Sequence, residues 1–115
     1  MSRIQTVECA NATGLPVTQT TFDHEVLEND EPVLVDFWAP WCGYCRAMKP
    51  VLEAIAAERG LKLVTINFDT EPDLAMRYAV QSIPNMIVFA HGKPTAQAIG
   101  AQPKADLERA LGLIA

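Results

Sequence analysis

Two thiols set three residues apart dominate the chemistry open to this chain. They lie in Trp41-Cys42-Gly43-Tyr44-Cys45, just after the apolar run Val33-Leu34-Val35-Asp36-Phe37-Trp38. A C-x-x-C pair fed by a strand and opening a helix is the layout of a thiol–disulfide redox site. The attacking species in such exchange is the thiolate, and a free cysteine with a pKa of about 8.5 is only a few per cent ionised at neutral pH. A sulfur at a helix start lies beside unsatisfied backbone N–H groups and the positive end of the helix dipole, and both favour the anion. Cys42 therefore reads as the exposed nucleophile. Cys45, one turn further on the same face, reads as the inward-facing resolving thiol. The rival chemistry is metal binding. A structural zinc site uses four protein ligands, but Cys9 is remote in sequence and His24 and His91 show no ligand spacing. No metal is expected at the pair.

Asp36 interrupts the apolar run. Strand alternation puts Leu34, Asp36 and Trp38 on one face and Val33, Val35 and Phe37 on the other. Both faces read as buried, so the carboxylate is expected inside. An unpaired buried carboxylate has a raised pKa and can exchange a proton near neutrality. Cys45 must lose its proton before it attacks a mixed disulfide, so a nearby base would serve it. The alternative is a carboxylate tied up by backbone or side-chain donors, and the residues alone leave both open.

The elements that position these groups follow from periodicity. Strands are expected over 17–20, 33–38, 61–68, 86–89 and 96–99, the last two forming a hairpin about a turn at 91–94. Helices are expected over 22–29 with Thr21 as cap, over 42–59 ending at Gly60, over 71–78 with Pro72 in the first turn, and over 104–113. Pro50 lies inside the second helix and is expected to kink it by removing one backbone hydrogen bond. Alternating strands and helices predict an α/β domain with a central, partly parallel sheet and helices on both faces. The terminal hairpin makes that sheet mixed.

Length and composition narrow the class. The 115 residues suffice for one domain, and 50% hydrophobic residues supply its core. A formal net charge of -5 argues against nucleic acid or an anionic membrane surface as partner. No stretch approaches the ~20 apolar residues of a membrane span. Residues 1–8 lack the apolar core of a signal peptide, so a cytoplasmic location is expected. Residues 1–14 read as an N-terminal extension and 15–115 as the domain. The Asn11-Ala12-Thr13 acceptor triplet reads as chance, and Cys9 as an incidental thiol.

At this point the chain resembles the thioredoxins, over roughly residues 15–115. The resemblance rests on an ordered series: Val35-Asp36-Phe37-Trp38-Ala39-Pro40-Trp41-Cys42-Gly43, then Cys45-Arg46, Pro50, Asn67-Phe68-Asp69, Ser82-Ile83-Pro84, and Ile99-Gly100. It implies a five-stranded mixed sheet flanked by four helices. It implies that Cys42 is the nucleophile, Cys45 the resolving thiol and Asp36 the buried base. It also implies a cis Ile83–Pro84 bond facing the cysteines, with an extended substrate segment pairing beside it. Trp41, Gly43, Tyr44, Ile83, Pro84, Gly100 and Ala101 are the expected substrate contacts. Taken alone, Trp41 reads as a structural aromatic; its place beside Cys42 favours contact with substrate.

Three departures from the family pattern stand out: Tyr44 where proline is commonest, Thr65 where many relatives carry a lysine near the buried aspartate, and Asn85 where threonine is common. Tyr44 restores a backbone N–H beside the nucleophile, which favours the dithiol form and makes the disulfide a better oxidant. Thr65 leaves Asp36 without a cation from that strand. The Asn85 amide could touch substrate or simply end a strand. The function implied is reduction of protein disulfides by a monomer. It would bind no cofactor, and its electrons would come from NADPH through a thioredoxin reductase. A more oxidising isomerase or specialised thiol donor is the alternative, and a binding subunit that leaves its thiols idle is a further one.

Overall fold

Residues 14–114 are described here, from a computed structural model. Cys9, the acceptor triplet and all of the expected extension except Gly14 lie outside the described residues.

Nine elements follow in order: β1 (Leu15–Pro16), α1 (Asp23–Leu27), β2 (Val33–Trp38), α2 (Gly43–Arg59), β3 (Lys62–Asn67), α3 (Pro72–Arg77), β4 (Asn85–Ala90), β5 (Lys93–Ile99) and α4 (Lys104–Ala110). The sheet runs β1-β3-β2-β4-β5. β2 is parallel to β3 and antiparallel to β4, so it sits at the centre with a neighbour on each side. The mixed sheet and four helical segments are the expected architecture.

Alternation along β2 divides the core as the sequence implied. Val33, Val35 and Phe37 pack on one face with Phe22 and Val26 around α1 and Leu74 and Ala75 of α3. Leu34 packs on the other with Met48, Leu52 and Ile55 of α2 and Leu107 of α4. Full burial of each such side chain contributes about 1.5–3 kcal/mol. On the first face Phe22, Tyr78 and Phe89 meet with ring centroids 5.1–5.8 Å apart. On the second, Arg59 of α2 donates two hydrogen bonds, at 3.2 and 3.0 Å, to buried Glu108 of α4.

Several boundaries differ from expectation, each for a local reason. The strand expected at 17–20 is instead Leu15–Pro16. The Val17 N–H still reaches the Thr65 carbonyl at 2.9 Å, but the threonines then close a turn. In that turn Thr21 Oγ1 accepts from the Thr18 N–H at 3.0 Å, so it does not cap the next helix. That helix is a single π-helical turn, closed by the Glu28 N–H on the Asp23 carbonyl. Its end packs so tightly on Gly92 that a Cβ there would lie 2.9 Å from the Leu27 carbonyl oxygen. Gly92 also has φ +78°, so only glycine closes this hairpin without strain. β5 begins at Lys93, earlier than expected, because Pro94 is tolerated on an edge strand. α4 ends at Ala110, three residues short of the expected end. α2 is assigned as one helix across Pro50, and it ends where expected, on Gly60 in the left-handed conformation.

Candidate active site

Cys42 is the N-cap of α2, and Cys45 lies in its first turn. The two are joined in a disulfide, with Cα atoms 5.2 Å apart. The Cys45 backbone N–H donates to Cys42 Sγ at 3.2 Å. A cysteine sulfur thus occupies the place where an N-cap oxygen accepts from the third residue of a helix. The same N–H is available to a thiolate there. α2 spans 17 residues, so its dipole is fully developed at this end.

The expected exposure of Cys42 requires correction. It is only 6% exposed, against 3% for Cys45. Both sulfur-bearing residues pack with Ala39, Trp38 and Ile83. The Cys42 N–H is also held by the Ala39 carbonyl at 3.1 Å. The exposed parts of the motif flank the sulfurs: Trp41 is 65% and Tyr44 72% exposed, and Gly43 is exposed too. What distinguishes the cysteines is position on the helix, with one at the cap and one inside.

Asp36 is where alternation put it, on the β2 face beneath α2. It is 4% exposed. Of the three buried polar side chains among the described residues, Asn85 accepts from Gln97 Nε2 at 2.9 Å and Glu108 pairs with Arg59. Among the buried side-chain nitrogens and oxygens of the described residues, Asp36 Oδ1 alone has no hydrogen-bonding protein partner. Desolvation raises its pKa to about 7, with Lys49 pulling the other way. The alternative of a carboxylate tied up by backbone or side-chain donors finds no such donor at Oδ1. Asp36 lines a cavity of roughly 350 Å³ together with Gly14, Pro16, Trp38, Cys45, Arg46, Lys49 and Thr65. The carboxylate and the inner cysteine therefore face one space.

The Ile83–Pro84 bond is cis. Ile83 packs against the two cysteines. Pro84 is buried, and its carbonyl accepts from the Gly100 N–H at 2.8 Å, which brings Gly100 and exposed Ala101 beside it. Among the described residues the Ile83 N–H and carbonyl bond no other backbone group, so this edge is open to an added strand. The expected site residues are thus assembled around one disulfide. Asn85 is not among them, since it is buried in β4 and satisfied by Gln97.

Sequence reasoning assigned no role to Asp69 or Lys49. Trp41 Nε1 donates to Asp69 Oδ2 at 2.8 Å, which tethers the exposed indole to the turn after β3. The signal for Lys49 was available, because it is four residues beyond Cys45 on the same helix face. Among the described residues no cluster of three His, Cys, Asp or Glu side chains could hold a metal ion. None of their helices is long and apolar enough to cross a membrane.

A thioredoxin family model matches residues 14–112. The chain belongs to the thioredoxin family. Thioredoxin from Porphyra purpurea is 50% identical over 97 residues, covering 83% of this chain and 91% of that protein. The chloroplastic M-type thioredoxin of Chlamydomonas reinhardtii is 50% identical over 93 residues, covering 79% of this chain and 66% of its own. A single-substitution variant of thioredoxin from Halobacterium salinarum superposes with a TM-score of 0.78 at 31% identity, over 91% of this chain and 96% of that one. With the helix-capping disulfide, these relatives identify a thiol–disulfide oxidoreductase that reduces protein disulfides. They do not favour the isomerase, thiol-donor or binding-subunit readings.

Proposed function

We propose that Cys42 attacks substrate disulfides, Cys45 resolves the mixed disulfide, and Asp36 is the base that deprotonates Cys45. The observation that carries this reading is the juxtaposition of a helix-capping sulfur with a buried carboxylate lacking a partner. In the first step the Cys42 thiolate attacks one substrate sulfur. The substrate S–S bond breaks, and its electron pair leaves on the other sulfur, which takes a proton. In the second, Asp36 takes the Cys45 proton and the Cys45 thiolate attacks Cys42 Sγ. The Cys42–substrate bond then breaks and the second substrate thiol departs. The dithiol loses two electrons to the substrate disulfide.

Substrate is bound in this reading by Trp41, Gly43, Tyr44, Ile83, Pro84, Gly100 and Ala101. The exposed Trp41 and Tyr44 faces and the open Ile83 backbone support that assignment. The domain is residues 15–115, preceded by an extension over 1–14, and acts as a monomer. Electrons come from NADPH through a thioredoxin reductase, in the cytoplasm. Insulin reduction with NADPH and a competent reductase tests this supply. Sustained NADPH oxidation is expected, and no turnover with a reductase active on another thioredoxin overturns it.

Tyr44 sets the poise of the pair in this reading. It occupies the second helical position, where a backbone N–H has no intrahelical acceptor. Tyr44→Pro deletes that donor and its share of thiolate stabilisation, about 1 kcal/mol. The potential of the Cys42–Cys45 couple is then expected to fall by roughly 20 mV. Equilibration with a glutathione buffer measures it, and an unchanged or higher value in the variant rules the explanation out.

A further inference from the structure

We propose that Lys49 is a positioning residue for disulfide resolution, supplying from the helix the cation that holds Asp36 ready as base. The proposal rests on the assignment of Asp36 as the base for Cys45. Its ground is the make-up of the cavity that Asp36 and Cys45 share.

Each element packed around Asp36 brings a defined set of groups. From β3 comes its register partner Thr65, which is neutral. From β4 comes its other partner, Met86, also neutral. Gly14 and Pro16 close the side next to β1 without charge, and Trp38 of β2 adds an indole. The ionisable groups all come from α2: Cys45, Arg46 and Lys49. Cys45 is in the disulfide. Arg46 is committed elsewhere, because its Nη1 donates to the Pro40 carbonyl at 2.6 Å. Among the described residues Lys49 makes no salt bridge, whereas Lys62 and Lys104 each pair with a carboxylate. Lys49 is thus the cation left to answer the Asp36 carboxylate.

Helix geometry makes this more than proximity. Cys45 and Lys49 are four residues apart, so they lie one above the other on the α2 face that covers Asp36. The helix that carries the thiol to be deprotonated also carries the charge that favours the ionised base. Removal of a nearby opposite charge disfavours the carboxylate. Below the titration point of Asp36 the base is protonated and cannot accept from Cys45. Lys49 therefore extends its working range toward lower pH. The β3 side contributes no charge, since Thr65 stands there, so the role falls to the helix.

Two readouts test this. One is the Asp36 carboxyl carbon shift, followed by NMR through a pH titration of the oxidised protein. The other is the pH profile for release of a thiol leaving group from a mixed disulfide preformed at Cys42. In Lys49→Ala both midpoints are expected to move up by about half a unit to one unit. Release at pH 7 then slows roughly two- to five-fold, while release at pH 9 is unchanged because Asp36 is ionised in either protein. Lys49→Arg keeps the parental profile, and Thr65→Lys in the Lys49→Ala background restores it from the opposite wall of the cavity. Unmoved midpoints in Lys49→Ala overturn the proposal, as does slowing by the same factor at every pH. Asp36→Asn separates the two levels of the argument. If it slows release while Lys49→Ala shifts nothing, only the role of Lys49 fails. If it leaves release untouched, the assignment of Asp36 as base fails first.

Discussion

Cys42→Ser is expected to abolish disulfide reduction, and Cys45→Ser to accumulate a covalent complex with substrate. Serine is itself a favoured N-cap, so Cys42→Ser keeps the start of α2 and the loss is chemical. An alcohol at this position is neither ionised nor nucleophilic toward sulfur, and turnover should fall by roughly three orders of magnitude or more. In Cys45→Ser the Cys42 thiolate still has the position-45 backbone N–H, because only the side chain changes. The first step proceeds and the second has no attacking group. Non-reducing electrophoresis or intact mass of the protein after incubation with a disulfide substrate reads the adduct.

The reverse outcome is informative because burial does not choose between the two sulfurs. Both are nearly covered in the disulfide. The assignment rests on which sulfur caps the helix. If Cys42→Ser formed adducts through Cys45 while Cys45→Ser formed none, the roles would have to be exchanged. Helix-end stabilisation would then be ruled out as what selects the nucleophile.

The sequence carried the frame of this site because its signals are local. The apolar run of β2, the helix opening at Cys42 and the stop at Gly60 each depend on neighbours within one turn or one strand. Burial of Asp36 followed from alternation in a strand apolar on both faces. The cis Ile83–Pro84 bond was legible only through resemblance, since no local pattern distinguishes it. The misplacements arise where tertiary contacts decide. Val17 looks like a strand residue, yet the threonines after it satisfy one another in a turn. Exposure of Cys42 was inferred from its place next to a loop, but the packing of Trp38 and Ile83 over the disulfide covers it. Residues distant in sequence supplied what the motif could not announce, as when Asp69 holds the Trp41 ring. Around Asp36, the lack of a β3 cation is legible directly from Thr65, whereas the lysine one helical turn below Cys45 joins the cavity only through the packing of α2 on the sheet.

Asp36→Asn is expected to make the protein more stable and less active. Burial raises the Asp36 pKa to about 7, while in the unfolded chain it stays near 3.8. Between those values the native state binds the proton and the unfolded state does not, so stability falls as pH rises through this window. Below about pH 4 the carboxyl is protonated in both states and costs nothing extra. Above the folded pKa it is ionised in both, and holding the charge inside costs on the order of 4 kcal/mol. Asparagine removes that titration but leaves a buried amide whose hydrogen bonds are incompletely met, at about 1–3 kcal/mol. The net gain at pH 8 should be roughly 2 kcal/mol, a rise in melting temperature of about 8 °C or more, with no gain at pH 4. Thermal unfolding at the two pH values checks this, and an equal change at both would show that the carboxylate is not the destabilising group. Activity moves the other way. Without a base, Cys45 must lose its proton to solvent, and resolution of the Cys42 mixed disulfide at neutral pH should slow at least about tenfold, toward the ~10²-fold typical of a lost general base. A protein that gained stability at pH 8 and resolved at the parental rate would retain a buried charge without a catalytic reason for it. Opposite movement of stability and rate is what identifies the unpaired carboxylate as a group kept for proton transfer.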